Sequence, residues 1–292
     1  MKKTILGLIA ILFVTLACGS GAPANTDQQA LETVVASTLG ALTAAAPPPT
    51  QTLTPVNGTA ITINNISFVI PTGTGTGAQV ESIEAVPASD DMPWWEIGPA
   101  YNKYHLEGYP LAGTFHKPVI YVYPVDGYIQ ADEDIKTLFA SLESILNSPG
   151  QPLPEKLPFL PAFNAAQMFY SNAQTVDFQS GKGIRYLTQY AQGPMPISNA
   201  EVFYTFQGLT SDGLYYVSAV LPISTATLAA NGNPDTAVPA GGVPFDWNPE
   251  SFELMPAYID AVEQMLNATD PNAFNPSLPM LDALIQSITI HP

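Results

Sequence analysis

The stretch GKGIRYLTQY (residues 181–190), with FYTFQGLT (203–210) and LYYVSAVLPI (214–223) after it, decides the fold class. Aromatic and β-branched residues fill each block, which suits a pleated, half-buried surface. Gln179-Ser180-Gly181, the 193–196 segment and Ser211-Asp212-Gly213 separate the blocks with turn-forming residues. That order of short strands and tight turns predicts an antiparallel meander across 166–223. Along the first block, Ile184, Tyr186, Thr188 and Tyr190 share one face, whereas Arg185, Leu187 and Gln189 share the other, because successive side chains alternate across a strand.

Working outward, 61–71, 79–87, 101–111 and 117–123 are further strand candidates. Asp132-Glu133-Asp134 opens a helix whose Ile135, Leu138, Leu142 and Ile145 make an apolar stripe, and Asn147-Ser148-Pro149-Gly150 closes it. Acids in a first helical turn are stabilised by the helix dipole, so that cluster needs no metal to explain it. Asn248-Pro249 opens a second helix with Phe252, Met255, Ile259, Val262 and Leu266 on one side, and Pro256 marks a kink or a late start. Asn275-Pro276 opens a third, striped by Leu278, Leu281, Leu284 and Ile288, and 287–290 adds an edge strand. The expectation is one α+β domain over 59–292, an antiparallel sheet with packed helices. Gly73, Gly75 and Gly77 form a flexible hairpin loop rather than a phosphate cradle, since no helix or lysine follows them.

Composition narrows the function. The chain has 292 residues, of which 46% are hydrophobic and only 11% charged. It can therefore bury a core, while 29 prolines interrupt it often. Eight Lys and Arg face 25 Asp and Glu, a net charge of −17, which speaks against nucleic acid or anionic lipid as an electrostatic partner. A single cysteine excludes an internal disulfide framework and a cysteine-rich zinc site.

That cysteine is placed informatively. Lys2 and Lys3 precede an uncharged, mostly apolar run over 4–16, too short to span a bilayer and shaped like a signal-peptide core. The segment Val14-Thr15-Leu16-Ala17-Cys18-Gly19 resembles the lipobox of bacterial lipoproteins, with Thr15 where leucine is commonest. The resemblance implies cleavage between Ala17 and Cys18, a thioether-linked diacylglycerol on Cys18, and a further acyl chain (palmitate, for example) on the new amino terminus. Residues 1–17 are then a signal peptide. Loss of Lys2 and Lys3 with no acid takes the net charge from −17 to −19, and the protein meets the membrane through lipid alone. The expected address is extracytoplasmic, anchored to a bacterial membrane. Residues 18–58 form an Ala/Thr/Pro-rich tether. Thr26 caps a short helix with Leu31, Val34, Val35, Leu39 and Leu42 on it, and Pro47-Pro48-Pro49 begins a polyproline-like spacer.

The meander also carries a family resemblance. GxGxRxLTQY over 181–190 and FYTFQGLTxDGxYYVSAxLP over 203–222 are similar to signatures shared by a group of exported bacterial proteins, often lipoproteins. The similarity runs over about 121–290 and implies no reaction. The order of elements is similar to the layout of PsbP/Mog1-like α/β sandwiches, a likeness of fold that carries no function.

Catalytic groups are sparse. His105, His116 and His291 are the only histidines, and no G-x-S-x-G elbow accompanies them. Asn231, Asn233 and Asp235 imitate the start of a calcium loop but have Thr236 where glycine is needed and Gly242 where the closing glutamate belongs. No cofactor or metal is implied. Arg185, the only arginine, has two readings: an ion pair with Asp177 or Glu201 that fixes the sheet, or, with Gln189 on its face, an anchor for an anionic ligand. Trp94, Trp95 and Trp247 are candidate stacking surfaces for sugars or apolar ligands. The expected function is a non-catalytic binding or structural module at the cell envelope. The alternative is an envelope hydrolase acting on carbohydrate or peptide through a carboxylate pair that spacing alone does not locate.

Overall fold

Seven strands build the main sheet of the computed structural model, which describes residues 56–89, 91–248 and 253–291. The signal segment, Ala17, Cys18 and nearly all of the tether lie outside the described residues, as do Pro249 and Phe252. Two meanders meet in the sheet. The first is β3 (Gly77–Ile83), β4 (Tyr101–Glu107) and β5 (Val119–Pro124). The second is β7 (Ser171–Phe178), β8 (Gly181–Thr188), β10 (Phe203–Thr210) and β11 (Tyr215–Pro222). The order is β3-β4-β5-β11-β10-β8-β7, every pairing antiparallel. The fold is α+β with a large antiparallel sheet.

The alternation within β8 sorts its side chains as local geometry requires. Ile184 and Tyr186 join the cluster under α2 (Ile135–Asn147), whereas Leu187 joins the cluster under α3 (Met255–Ala268) and α4 (Leu278–Gln286). Both faces are covered, so β10 and β11 are almost wholly buried. Gly183 and Gly208 lie opposite one another in register. A Cβ on either would strike the ring of Phe206, which occupies the space their side chains leave. This accounts for the second glycine of GKGIRY and the glycine of FQGLT.

Several sequence expectations change in the structure. The run 61–71 is a hairpin, β1 (Gly58–Ile63) and β2 (Ile66–Pro71), turned at Asn64 with φ 54°. Asparagine tolerates that left-handed geometry, and it is the residue two-residue hairpin turns favour. The Gly73–Gly75–Gly77 segment is not a hairpin loop, because β2 and β3 belong to different sheets. It is a packed crossing: Thr74 is fully buried and donates to Pro71 O (2.7 Å). A short helix, α1 (Val125–Ala131), precedes α2 where no helix was expected. Gly127 hides it in the sequence, and a Cβ there would press on Pro99 and Pro124. The buried stripe of α2 is Ile135, Phe139, Leu142 and Leu146, turned from the expected one. Pro256 lies in the first turn of α3, so the helix starts late rather than kinks. Thr289 and Ile290 form β14, which pairs with β2 to complete a three-stranded second sheet.

A proline-dense segment, residues 157–161, crosses the α2 face without forming a strand, and side chains of the sheet satisfy its backbone. Gln207 Oε1 accepts from Leu160 N–H (2.9 Å) and from the Tyr216 hydroxyl (2.6 Å). Gln207 Nε2 donates to Leu160 O (3.1 Å), Thr205 Oγ1 (2.8 Å) and Ser218 Oγ (3.0 Å). The Ser218 hydroxyl also donates to Leu160 O, and Tyr186 OH donates to Pro158 O (2.8 Å). The amide of Gln207 thus pairs with one residue's N–H and C=O as a neighbouring strand would. All of it is dry, since Gln207 and Ser218 are fully buried. Replacing Gln207 by alanine strands several buried polar groups at once, at about 1–3 kcal/mol for each group left unmet. We expect Gln207→Ala to lower stability by about 2–4 kcal/mol and the melting temperature by about 5–15 °C, read by calorimetry. Gln207→Glu, which places an uncompensated carboxylate against the acceptor oxygens of Leu160, Thr205 and Ser218, should cost at least as much at pH 7.

Candidate functional site

An open, aromatic-lined surface lies where residues 157–167 meet the loop after β3. A bridge between Val86 and Gly98 closes that loop (2.9 and 3.1 Å), and a turn from Pro93 to Glu96 presents Trp94 and Trp95. Their rings meet edge to face, 5.8 Å apart at 86°. Two adjoining grooves result. One, of about 620 Å³, runs past Trp94, Leu138, Phe159, Phe163 and Tyr190, with Asp132, Asp134, Ser141, Lys156 and Gln167 on its walls. The other, of about 550 Å³, holds Trp95, Phe115, His116 and Met195, with Asn164, Gln192 and Glu201. Phe163 and Tyr190 line both.

His116 is held by rings. It stacks on Phe163 (5.1 Å, 19°) and meets Phe203 (4.5 Å) and Phe115 (5.0 Å) edge-on. Burial among them pushes its imidazole down to about 4, so it is neutral at physiological pH. Desolvation raises the Glu201 carboxyl above its ordinary value. Burial also holds Tyr190 neutral by raising its phenol well above the usual range.

Among the described residues, His116 and Ser141 line different grooves, and no hydrogen bond joins them. Asp132 and Asp134 share one turn, tied by the Asp134 N–H to Asp132 Oδ1 (3.0 Å). Among the described residues, the other wall segments of that groove bring Lys156 and Gln167 but no carboxylate, and Glu201 lines the adjoining one. Among the described residues, no cluster of three or more His, Cys, Asp or Glu is placed to hold a metal ion. The Asn231 turn closes on itself, its Oδ1 accepting from Asn233 N–H and the Thr236 hydroxyl.

Arg185 is elsewhere, under α4, and the protein itself takes up its guanidinium. Nε donates to Asp282 Oδ1 (3.1 Å), one terminal nitrogen donates to Gln174 Oε1 (2.7 Å) and the other to the Asn172 carbonyl. Tyr204 OH donates to the same Asp282 oxygen (2.9 Å). Asp177 is not the partner: it pairs in register with Lys182, on the opposite face of the sheet. Glu201 is not the partner either; it lines the second groove. Gln189 is fully buried and holds a loop, donating to Pro196 O (3.1 Å) and accepting from Ser198 N–H (3.1 Å). Trp247 is not among the residues that line either groove and packs edge-on against Phe245 (5.0 Å). Sequence reasoning missed Asp282, Phe115, Phe163 and Tyr190 as participants. Asp282 had a signal, an acid inside an apolar helical stripe between Leu278 and Ile285. The three aromatics had none.

No protein-family model matches the chain, and no curated protein is significantly similar to it.

Two outcomes follow for stability. Burial raises the Asp282 carboxyl, with Arg185 and Tyr204 opposing. Arg185→Met should therefore cost about 3 kcal/mol at pH 7, and less at pH 4.5, where the bared carboxyl takes up a proton; denaturant titrations at both pH values check this. The lowered His116 works in the opposite sense. Below pH 6.5 the unfolded chain binds a proton that the folded chain refuses down to about 4, so stability falls as pH falls through that window. His116→Phe should flatten this part of the melting-temperature profile, by at most about 1.4 kcal/mol per pH unit.

Proposed function

We propose that the chain is a membrane-anchored extracytoplasmic lipoprotein of the exported bacterial group its meander resembles, and that its α+β domain is a non-catalytic binding module. The lipobox-like segment ending at Cys18 supports the anchor, and several acyl chains give the stable attachment that one cannot. Among the described residues no helix is long and apolar enough to cross a membrane, so lipid is the attachment the proposal relies on. The binding reading rests on one observation: aromatic side chains line two adjoining open grooves. The charge of −19 after cleavage keeps the body off anionic headgroups while the tether holds it close.

Cells fed an alkyne-bearing fatty acid should label the wild-type chain, and Cys18→Ala should be unlabelled and leave the membrane fraction. Equal labelling of the variant would refute the anchor. For the domain, the unlipidated Cys18→Ala chain should show a saturable thermal shift with a ligand from a panel of sugars and peptides, with the ligand recovered unchanged. Recovery of a cleaved product would refute the non-catalytic reading.

A further inference from the structure

We infer that the two grooves form one continuous site for a neutral oligosaccharide, with one sugar ring stacked on Trp94 and another on Trp95. The inference rests on the binding-module reading and names its ligand class.

Three observations point to a sugar. The first is exposed aromatic surface: Trp94 is 60% exposed and Phe115 is 71% exposed, at the edges of the two grooves. Such rings offer a negatively polarised face, and the axial C–H groups of a pyranose present the matching weakly positive face. The second is unspent polar capacity around those rings. In the first groove the side chains of Asp134, Thr137, Ser141 and Lys156 make no hydrogen bond to another described residue, and in the second the same holds for Asn164 and Glu201. Acceptors, donors and an amide around an aromatic floor suit a ligand carrying many hydroxyls, each able to give and to accept. A purely apolar ligand would desolvate those groups without replacing their water.

The third observation is charge. Asp132, Asp134 and Glu201 line the grooves against the single cation Lys156, on a chain of net charge −17. Anionic glycans and phosphates meet repulsion there, and a neutral sugar does not. Each groove lies within the roughly 300–1,000 Å³ of ordinary ligand pockets. Phe163 and Tyr190 belong to both, so a chain of several sugars passes from one to the other over a shared floor.

The test is calorimetric titration of the Cys18→Ala chain with two neutral tetrasaccharides, β-1,4-linked glucose and β-1,4-linked N-acetylglucosamine, with a decaproline peptide in parallel. At least one tetrasaccharide should bind, and more tightly than its disaccharide. Trp94→Ala and Trp95→Ala should each weaken binding about tenfold. Trp247→Ala, on the separate segment, should change it less than twofold. Thermal melts of the three variants establish that each remains folded. Binding of neither tetrasaccharide overturns the inference, whether or not decaproline binds. Binding of decaproline alone leaves the binding-module reading standing, since aromatic grooves also take polyproline segments. Sugar binding that survives both Trp94→Ala and Trp95→Ala overturns it as well. A tetrasaccharide that binds through both tryptophans but is shortened supports the ligand assignment and refutes only the non-catalytic reading.

Discussion

The amide of Gln207, paired in a dry interior with the backbone of Leu160, is the contact on which the candidate site depends. Residues 157–167 contribute a wall to both grooves, yet prolines at 158 and 161 deprive the segment's first half of backbone donors, and Ala166–Gln167 alone pairs as a strand, with Tyr190–Ala191. Buried backbone polar groups must still be met. Gln207 supplies the missing partner from β10, Ser218 of β11 and Tyr186 of β8 converge on the same stretch, and the Tyr216 hydroxyl donates to the Gln207 amide oxygen. Water cannot substitute, because α2 and the segment itself close the space. The aromatic floor that carries Phe159 and Phe163 is therefore fastened to the buried inner strands of the sheet rather than left as a surface loop.

The opposite face solves a related problem with charge. One guanidinium ties β8 to β7 and to α4, using a β7 carbonyl, a glutamine and Asp282. The irregularity of β7 between Ser171 and Gln174 turns the Asn172 carbonyl toward it, and Asn172 also binds the end of α3 through Leu266 O. Such a buried pair is costly to desolvate, and its worth lies in what breaking it would strand. Because its hydrogen bonds run to the protein's own groups, Arg185 is a fastening between the sheet and α4.

How much of this the sequence revealed depends on the range of the physics involved. The strands of the second meander were legible because aromatic and β-branched residues fill them and the turn residues between them are chemically distinct. The 61–71 run was read as one strand because Asn64-Asn65 is a weaker turn signal than an Asn-Gly pair. The start of α3 was blurred by two competing proline signals. Arg185 was recognisable as in need of a carboxylate, but the choice among 25 acids turned on which face of the sheet each occupies. Asp177, close in sequence, points the wrong way; Asp282 lies 97 residues on and points the right way. Trp94 and Trp95 were visible as unusual residues, while Phe115, Phe163 and Tyr190 acquire meaning only as their neighbours.

By itself, the order of residues determined the α+β class, the meander and the division of β8 into two faces. Each follows from alternation and turn chemistry within a few residues, and needs no knowledge of distant partners. Only the tertiary structure decided that Gln207 would serve Leu160, that Arg185 would be spent on Asp282, and that two tryptophans would overlook adjoining grooves. Those outcomes join segments tens of residues apart, and the free energy that selects them comes from excluding water between surfaces that chain proximity does not bring together.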